Sequence, residues 1–174
     1  MTNFTFKNPT KIIFGKNTIS SISAEIPSGK RILVTFGGGS VKSNGVYDQV
    51  ISALKGFTYF EFWGIEANPD ISTLRKAISL GKEKNCDFVL AVGGGSVIDG
   101  SKLIASGILY EGDAWDIVMK RDWTANESLP LASVLTLPAT GSEMNAGAVI
   151  SYREKKEKFA FYSQYPVFSV LDPE

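Results

Sequence analysis

The chain has 174 residues, enough for one domain with its own core and marginal for two. Its 44% hydrophobic and 21% charged content is ordinary for a soluble globular protein, and 18 basic residues offset 18 acidic ones. With no net field to hold a polyanion, nucleic acid and an anionic membrane are excluded as expected partners.

Reading from the N-terminus, no basic region precedes an apolar run, so no signal peptide is expected. Residues 11–15 form a short apolar strand ending in Gly15, and residues 18–26 a brief helix. Residues 31–36 are a continuous apolar run, as in a parallel strand buried on both faces. They stop at Gly37, Gly38, Gly39 and Ser40. A helix over 46–54 places Val46, Val50, Ala53 and Leu54 on one face. Residues 58–62 are an aromatic strand. Asn68, Pro69 and Asp70 open the next helix, capped by Asp70 or Ser72 and ending near Asn85.

A second buried strand, 88–92, runs into Gly93, Gly94, Gly95 and Ser96, and residues 97–109 look helical. The stretch 111–128 is polar and poorly periodic, with a short helix around 115–119. A third buried strand, 132–137, is ended by Pro138. Residues 148–151 and 159–161 read as a hairpin, and 167–171 as a last strand. Between the hairpin strands, Arg153 to Lys158 alternates with Glu154 and Glu157 and reads as a solvated turn before an anion site. Alternation of buried strands and helices indicates an α/β fold, an open, mostly parallel sheet with flanking helices. Such sheets bind ligands in the crevice beyond the carboxyl ends of their strands.

The single cysteine, Cys86, excludes an intrachain disulfide and fits a reducing compartment; its plain role is a small core residue. The chain contains no histidine, which removes imidazole-dependent triads and most zinc and iron sites. No stretch approaches the roughly 18 apolar residues of a membrane span. A cytoplasmic protein is expected.

Three strand exits carry the chemistry. At Gly94, Gly95 and Ser96 the glycines let backbone approach a phosphate, and the helix start supplies free amides and a positive dipole end. A tight strand-to-helix turn without ligand is the alternative. Asp99, just inside that helix, either stabilises the dipole or contacts the nicotinamide ribose or substrate. The loop with Gly37, Gly38, Ser40 and Lys42 has no acid between Phe36 and Asn44 to accept from a ribose 2′-hydroxyl. A hydroxyl and a lysine favour a 2′-phosphate, hence NADPH over NADH; a flexible loop with a solvated lysine is the alternative. Thr136, Thr140, Ser142 and Asn145, after the third strand, suit a nicotinamide ribose and carboxamide; a proline-terminated loop is the plainer reading of that segment alone.

Together these segments resemble the iron-containing (group III) alcohol dehydrogenase family, which shares its fold with glycerol dehydrogenase and dehydroquinate synthase. The resemblance rests on the opening Pro9 to Gly15, on Pro69, on Gly93 to Asp99, on Thr140 to Glu143, and on the terminal Leu171, Asp172 and Pro173. Residues 34–42 and 141–151 resemble its NADPH-dependent aldehyde reductase and butanol dehydrogenase branch. It implies a Rossmann-like dinucleotide-binding domain over 1–174, without the all-helical domain whose aspartate and histidines bind iron or zinc. It further implies that Gly37, Gly38, Ser40 and Lys42 surround the adenosine ribose and its 2′-phosphate, with Asn68 near the adenine. Gly94, Gly95 and Ser96 would hold the pyrophosphate, with Asp99 towards the nicotinamide. Thr136, Thr140 and Asn145 would line the nicotinamide ribose, and Lys158 would reach the cofactor from the hairpin. The loop after the third strand is shorter than in many members, and Asn145 replaces a common threonine.

The expected function is the NADP(H)-binding half of a metal-dependent, homodimeric alcohol dehydrogenase or aldehyde reductase acting on a small aldehyde or alcohol. The half alone is expected to be inactive and to carry no metal or catalytic residue of its own. A stand-alone nucleotide-binding module and a dehydroquinate synthase-like lyase are the alternatives; the lyase would use NAD, against which the acid-free 37–42 loop argues.

Overall fold

The computed structural model describes residues 3–120 and 127–174. Six strands form one sheet: β1 (Lys11–Phe14), β2 (Arg31–Phe36), β3 (Thr58–Phe62), β4 (Phe88–Gly93), β5 (Leu131–Leu135) and β8 (Phe168–Leu171). Their order is β1-β8-β5-β4-β2-β3, and every neighbouring pair is parallel. Two more strands, β6 (Gly147–Tyr152) and β7 (Glu157–Tyr162), pair antiparallel as a separate hairpin.

The all-apolar runs become central strands because both of their faces are covered. Alternate residues feed two cores. Leu33, Val89, Ala91 and Leu131 pack with α4 (Ile71–Glu83), α5 (Gly95–Leu109) and α6 (Ala114–Met119). Ile32, Val34, Phe36, Leu90 and Val134 pack on the opposite face with α1 (Ile22–Glu25) and α3 (Val46–Ala53). Period-2 alternation along each strand divides the apolar residues between these cores.

Helices α4 and α5 lie close together because glycine stands at their contacts. A Cβ on Gly107 would fall 2.4 Å from Ile78 Cδ1, and one on Gly100 would fall 2.9 Å from Leu74 Cδ2. Asp70 caps α4 by accepting from the Ser72 amide at 3.0 Å. Its other oxygen accepts from the Arg153 amide at 2.8 Å, which ties the hairpin to the start of α4. Burial pushes the Asp70 carboxyl up, but these two amides, the Ser72 hydroxyl and the Arg153 charge together hold the group below its ordinary range.

Three boundaries differ from expectation. β5 ends at Leu135, two residues early, because its partner there is Gly93 and β4 ends at Gly93. Only the Thr136 amide still reaches that edge, donating to the Gly93 carbonyl at 3.1 Å. α5 starts at Gly95 rather than Val97, so the second glycine loop is already helical. In the first loop, a four-residue helix α2 (Ser40–Ser43) replaces open loop; it begins after Gly39, whose φ of 107° favours glycine. Within the poorly periodic stretch, 114–119 form α6, and residues 121–126 lie outside the described residues.

No helix among the described residues is long and apolar enough to cross a membrane. Cys86 is buried, and burial pushes its thiol up, as a core residue requires.

Candidate functional site

The chain runs from β2 outward to β3, then crosses back to β4 on the other side of β2 and continues to β5. The direction of winding therefore reverses between β2 and β4, and a reversal opens a crevice at the carboxyl ends of those strands. Phe36 of β2 lies level with Val92 of β4, so the two glycine exits leave the sheet side by side. A Cβ on Gly37 would lie 3.3 Å from both the Ile65 carbonyl oxygen and Val97 Cγ2, which places the first loop against the start of α5.

The second loop explains why three glycines stand in a row. Val97 folds back over Gly93, where a Cβ would fall 2.6 Å from Val97 Cγ2. That glycine serves the tight turn. Gly94 has ordinary space, with Leu137 Cβ at 3.5 Å. Gly95 faces the loop after β5, where a Cβ would come within 3.0 Å of Thr140 Oγ1.

Above these amides lies a cleft of about 450 Å³. Its walls are Gly94 before α5, Gly95, Ser96 and Asp99 from α5, Thr140 from the loop after β5, Asn68 and Pro69 from the turn before α4, and Val149 and Lys158 from the hairpin. Asn68 has a left-handed φ of 53°, and its side-chain oxygen accepts from Lys158 Nζ at 2.7 Å, which closes one wall. Arg153 braces this turn by donating to Glu66 Oε1 and to the carbonyls of Ala67 and Asn68. The charged run is thus a hairpin turn as expected, but Arg153 is an anchor and not only a solvated charge.

Asp99 sits at the junction of this cleft with a larger one of about 900 Å³ beyond it. Its carboxylate accepts from Ser142 Oγ at 2.7 Å and from the Val149 amide at 3.0 Å. Burial raises its pKa against these two hydrogen bonds. The hydroxyls of Ser142 and Thr140 are 2.8 Å apart, so a short polar chain runs from Asp99 to the cleft mouth. The turn carrying Ser142 is pinned to the sheet: Ser133 donates to Ser169, and Ser169 donates to the Glu143 carbonyl.

Seven of the thirteen residues expected at the site, Asn68, Gly94, Gly95, Ser96, Asp99, Thr140 and Lys158, line one cleft. Asn145 lines the larger neighbouring cleft and donates to the Thr140 carbonyl at 3.3 Å. Thr136 stands apart, lining a separate cleft of about 460 Å³ beside Phe14, Leu171 and Pro173. Gly37, Gly38, Ser40 and Lys42 form the neighbouring loop and the start of α2.

Two features escaped the sequence reading. Lys102 is fully buried in α5. Its ammonium donates to the Gly147 carbonyl at 2.7 Å and to Asn145 Oδ1 at 3.1 Å. Burial lowers its pKa to about 8, opposed by the charges of Asp99 and Glu143. The signal was its position three residues after Asp99, on the same helix face. The second is aromatic. Trp63 stacks on Phe36 with ring centroids 4.1 Å apart, and Lys42 Nζ lies 4.1 Å from the Trp63 centroid. Glu61 accepts from the Trp63 indole at 2.8 Å and from the Tyr47 hydroxyl at 3.0 Å.

A resident metal finds no fit among these residues. The chain has no histidine, and among the described residues no three His, Cys, Asp or Glu side chains cluster to hold one.

A model of the family "iron-containing alcohol dehydrogenase" matches residues 9–173. The chain is 52% identical to the Probable NADH-dependent butanol dehydrogenase 1 of Bacillus subtilis, over 99% of this chain and 46% of that protein. It is 50% identical to the NADPH-dependent aldehyde reductase YqhD of Escherichia coli, with the same coverage of each. A crystal structure of Escherichia coli YqhD superposes with a TM-score of 0.93 at 50% identity, covering 98% of this chain and 45% of that one. The NADH-dependent butanol dehydrogenase A of Thermotoga maritima superposes with a TM-score of 0.92 at 45% identity, over 98% and 44%. The chain therefore spans about half the length of the curated relatives it matches.

Proposed function

The chain belongs to the iron-containing alcohol dehydrogenase family, and on that premise we propose that it is the cofactor-binding half of an NADPH-dependent aldehyde reductase or alcohol dehydrogenase. The observation that carries this reading is the pair of glycine exits standing side by side at the winding reversal of the sheet. The cleft above the second exit, about 450 Å³, is of the size that holds small ligands and cofactors.

Residues 1–174 form the dinucleotide-binding domain in this reading. The backbone at Gly94, Gly95 and Ser96, at the positive end of the 15-residue helix α5, holds the pyrophosphate. Lys158 adds a cation from the hairpin, and Asn68 fixes it and borders the adenine side. Thr140 and the Asp99–Ser142 pair orient the nicotinamide ribose, with Asn145 behind Thr140. Thr136 contributes to the turn rather than to that wall. A bound nicotinamide would supply hydride chemistry, and Thr140, Asp99 and Ser142 would place its ribose. A metal-binding domain of the whole protein would supply the remaining groups.

The choice of NADPH rests on the 37–42 loop. The curated relatives include both NADH- and NADPH-dependent enzymes by name, so the reading is supported by the loop chemistry alone. It offers Gly37, Gly38, Ser40 and Lys42 and no carboxylate. A homodimer is supported by exposed Phe4, Phe6 and Phe14 in and near the edge strand β1. Cytoplasmic residence is supported by the buried, unpaired Cys86.

Titration calorimetry tests the cofactor reading. NADPH should bind at least tenfold tighter than NADH, about 1.4 kcal/mol. Equal or reversed preference would remove it.

A further inference from the structure

Lys42 lies over an aromatic platform that three separate segments build. Phe36 ends β2, Tyr47 lies in α3, and Trp63 follows β3 directly. Phe36 stacks on the Trp63 indole at 4.1 Å with the planes 13° apart, and Lys42 Nζ lies over the indole, also 4.1 Å from its centroid. Tyr47 leans in from the side, 5.6 Å from Trp63 and 5.5 Å from the Lys42 ammonium. The indole cannot rotate freely, because Glu61 accepts from its N–H at 2.8 Å while also holding the Tyr47 hydroxyl.

This platform joins the glycine loop directly. The Gly64 amide, next to Trp63, donates to the Gly37 carbonyl, and the Ile65 amide donates to the Phe36 carbonyl. The carboxylate of Glu61 has a further bearing on selectivity. In many nucleotide-binding sheets an acid on the strand beside the glycine loop accepts from the ribose 2′-hydroxyl. Here both oxygens of Glu61 are engaged by Trp63 and Tyr47. The carboxylate thus braces the aromatic surface that carries a cation.

We propose that Trp63 is a positioning residue for cofactor selectivity: its indole, backed by Phe36 and braced by Glu61, holds the Lys42 ammonium beside the 37–40 loop, where a ribose 2′-phosphate would be met. The inference rests on the NADPH reading above and deepens it. A lysine already resting on an indole loses less side-chain freedom on meeting a phosphate than one in solvent. A surface cation–π contact is worth two- to fivefold in affinity, about 0.5–1 kcal/mol.

The test measures 2′,5′-ADP and ADP binding to the 174-residue chain by calorimetry, with folding checked by near-ultraviolet circular dichroism. The variants are W63L, W63F, K42A and the double variant W63L/K42A. W63L is expected to lower 2′,5′-ADP affinity two- to fivefold while ADP affinity stays within twofold. W63F keeps an aromatic face and is expected to recover at least half of that loss. K42A should lose the preference, and adding W63L to it should cost nothing more. If K42A loses the preference while W63L retains it, the platform inference is overturned and the NADPH reading stands. If the unsubstituted chain binds the two nucleotides equally, both are overturned. Should W63L not fold, W63F decides: a 2′,5′-ADP preference below that of the unsubstituted chain but above that of K42A supports the inference, and a preference equal to that of either one overturns it.

Discussion

Gly95 lies directly under Thr140, so that a β-carbon on it would stand 3.0 Å from the threonine hydroxyl and 3.5 Å from that of Ser142. This contact gives the second glycine loop a function beyond turning the chain. Gly95→Ala should push the Thr140 loop outward and crowd the cleft, weakening NADPH binding by about tenfold, or 1.4 kcal/mol. The fold should lose little, because Gly95 already has helical backbone at the start of α5, which alanine also adopts. Calorimetry beside a thermal melt would show the split. Unchanged affinity would mean that the loop does not contact the cofactor.

The buried ammonium of Lys102 makes a prediction in alkali. Its native pKa is about 8, below the ordinary 10.5, chiefly because burial penalises the charged form. Between these two values the unfolded chain binds more protons than the folded one, so this group makes stability rise with pH, by up to about 1.4 kcal/mol per unit. Below about pH 8 both states are protonated and the full burial penalty applies. Urea unfolding at intervals from pH 7.5 to 10.5 should show this rise in the unsubstituted chain. In K102M the Lys102 contribution to the slope should vanish; identical slopes in the two proteins would contradict the burial of a titrating lysine.

Asp70 joins two elements, so its loss should weaken both. Asp70→Ala removes the cap of α4 and the acceptor of the Arg153 amide, costing about 2 kcal/mol at neutral pH. The carboxyl lies below its ordinary value of 3.8. Its contribution is therefore fully present above that value and is lost as pH falls through the native one. Denaturation at pH 7 should separate the variant from its parent by that amount, with the gap narrowing in strong acid. A constant gap from pH 7 to pH 2 would show that the charge plays no part.

The central strands were legible because burial on both faces leaves unbroken apolar runs, as at residues 31–36 and 88–92. The cleft was legible in part, because glycine followed by serine at a strand exit is a local pattern. What escaped depends on distant pairing. Phe36 and Trp63 meet only once β2 and β3 align. Lys102 carries only a faint local mark, its spacing from Asp99, since a charged residue within a helix is ordinarily solvated. Helix α2 is four residues long and hangs on the conformation of Gly39, below the length at which periodicity can speak. Thr136 was grouped with Thr140 by proximity in sequence, yet the early end of β5 separates them.

The central claim is that both glycine exits grip one dinucleotide, and amide chemical-shift mapping tests it most directly. On titration of the 15N-labelled chain with NADPH, the amides of Gly37, Gly38 and Ser40 and those of Gly94, Gly95 and Ser96 should shift together with a single saturation midpoint. Shifts confined to one loop, or two midpoints that differ tenfold, would contradict a shared crevice.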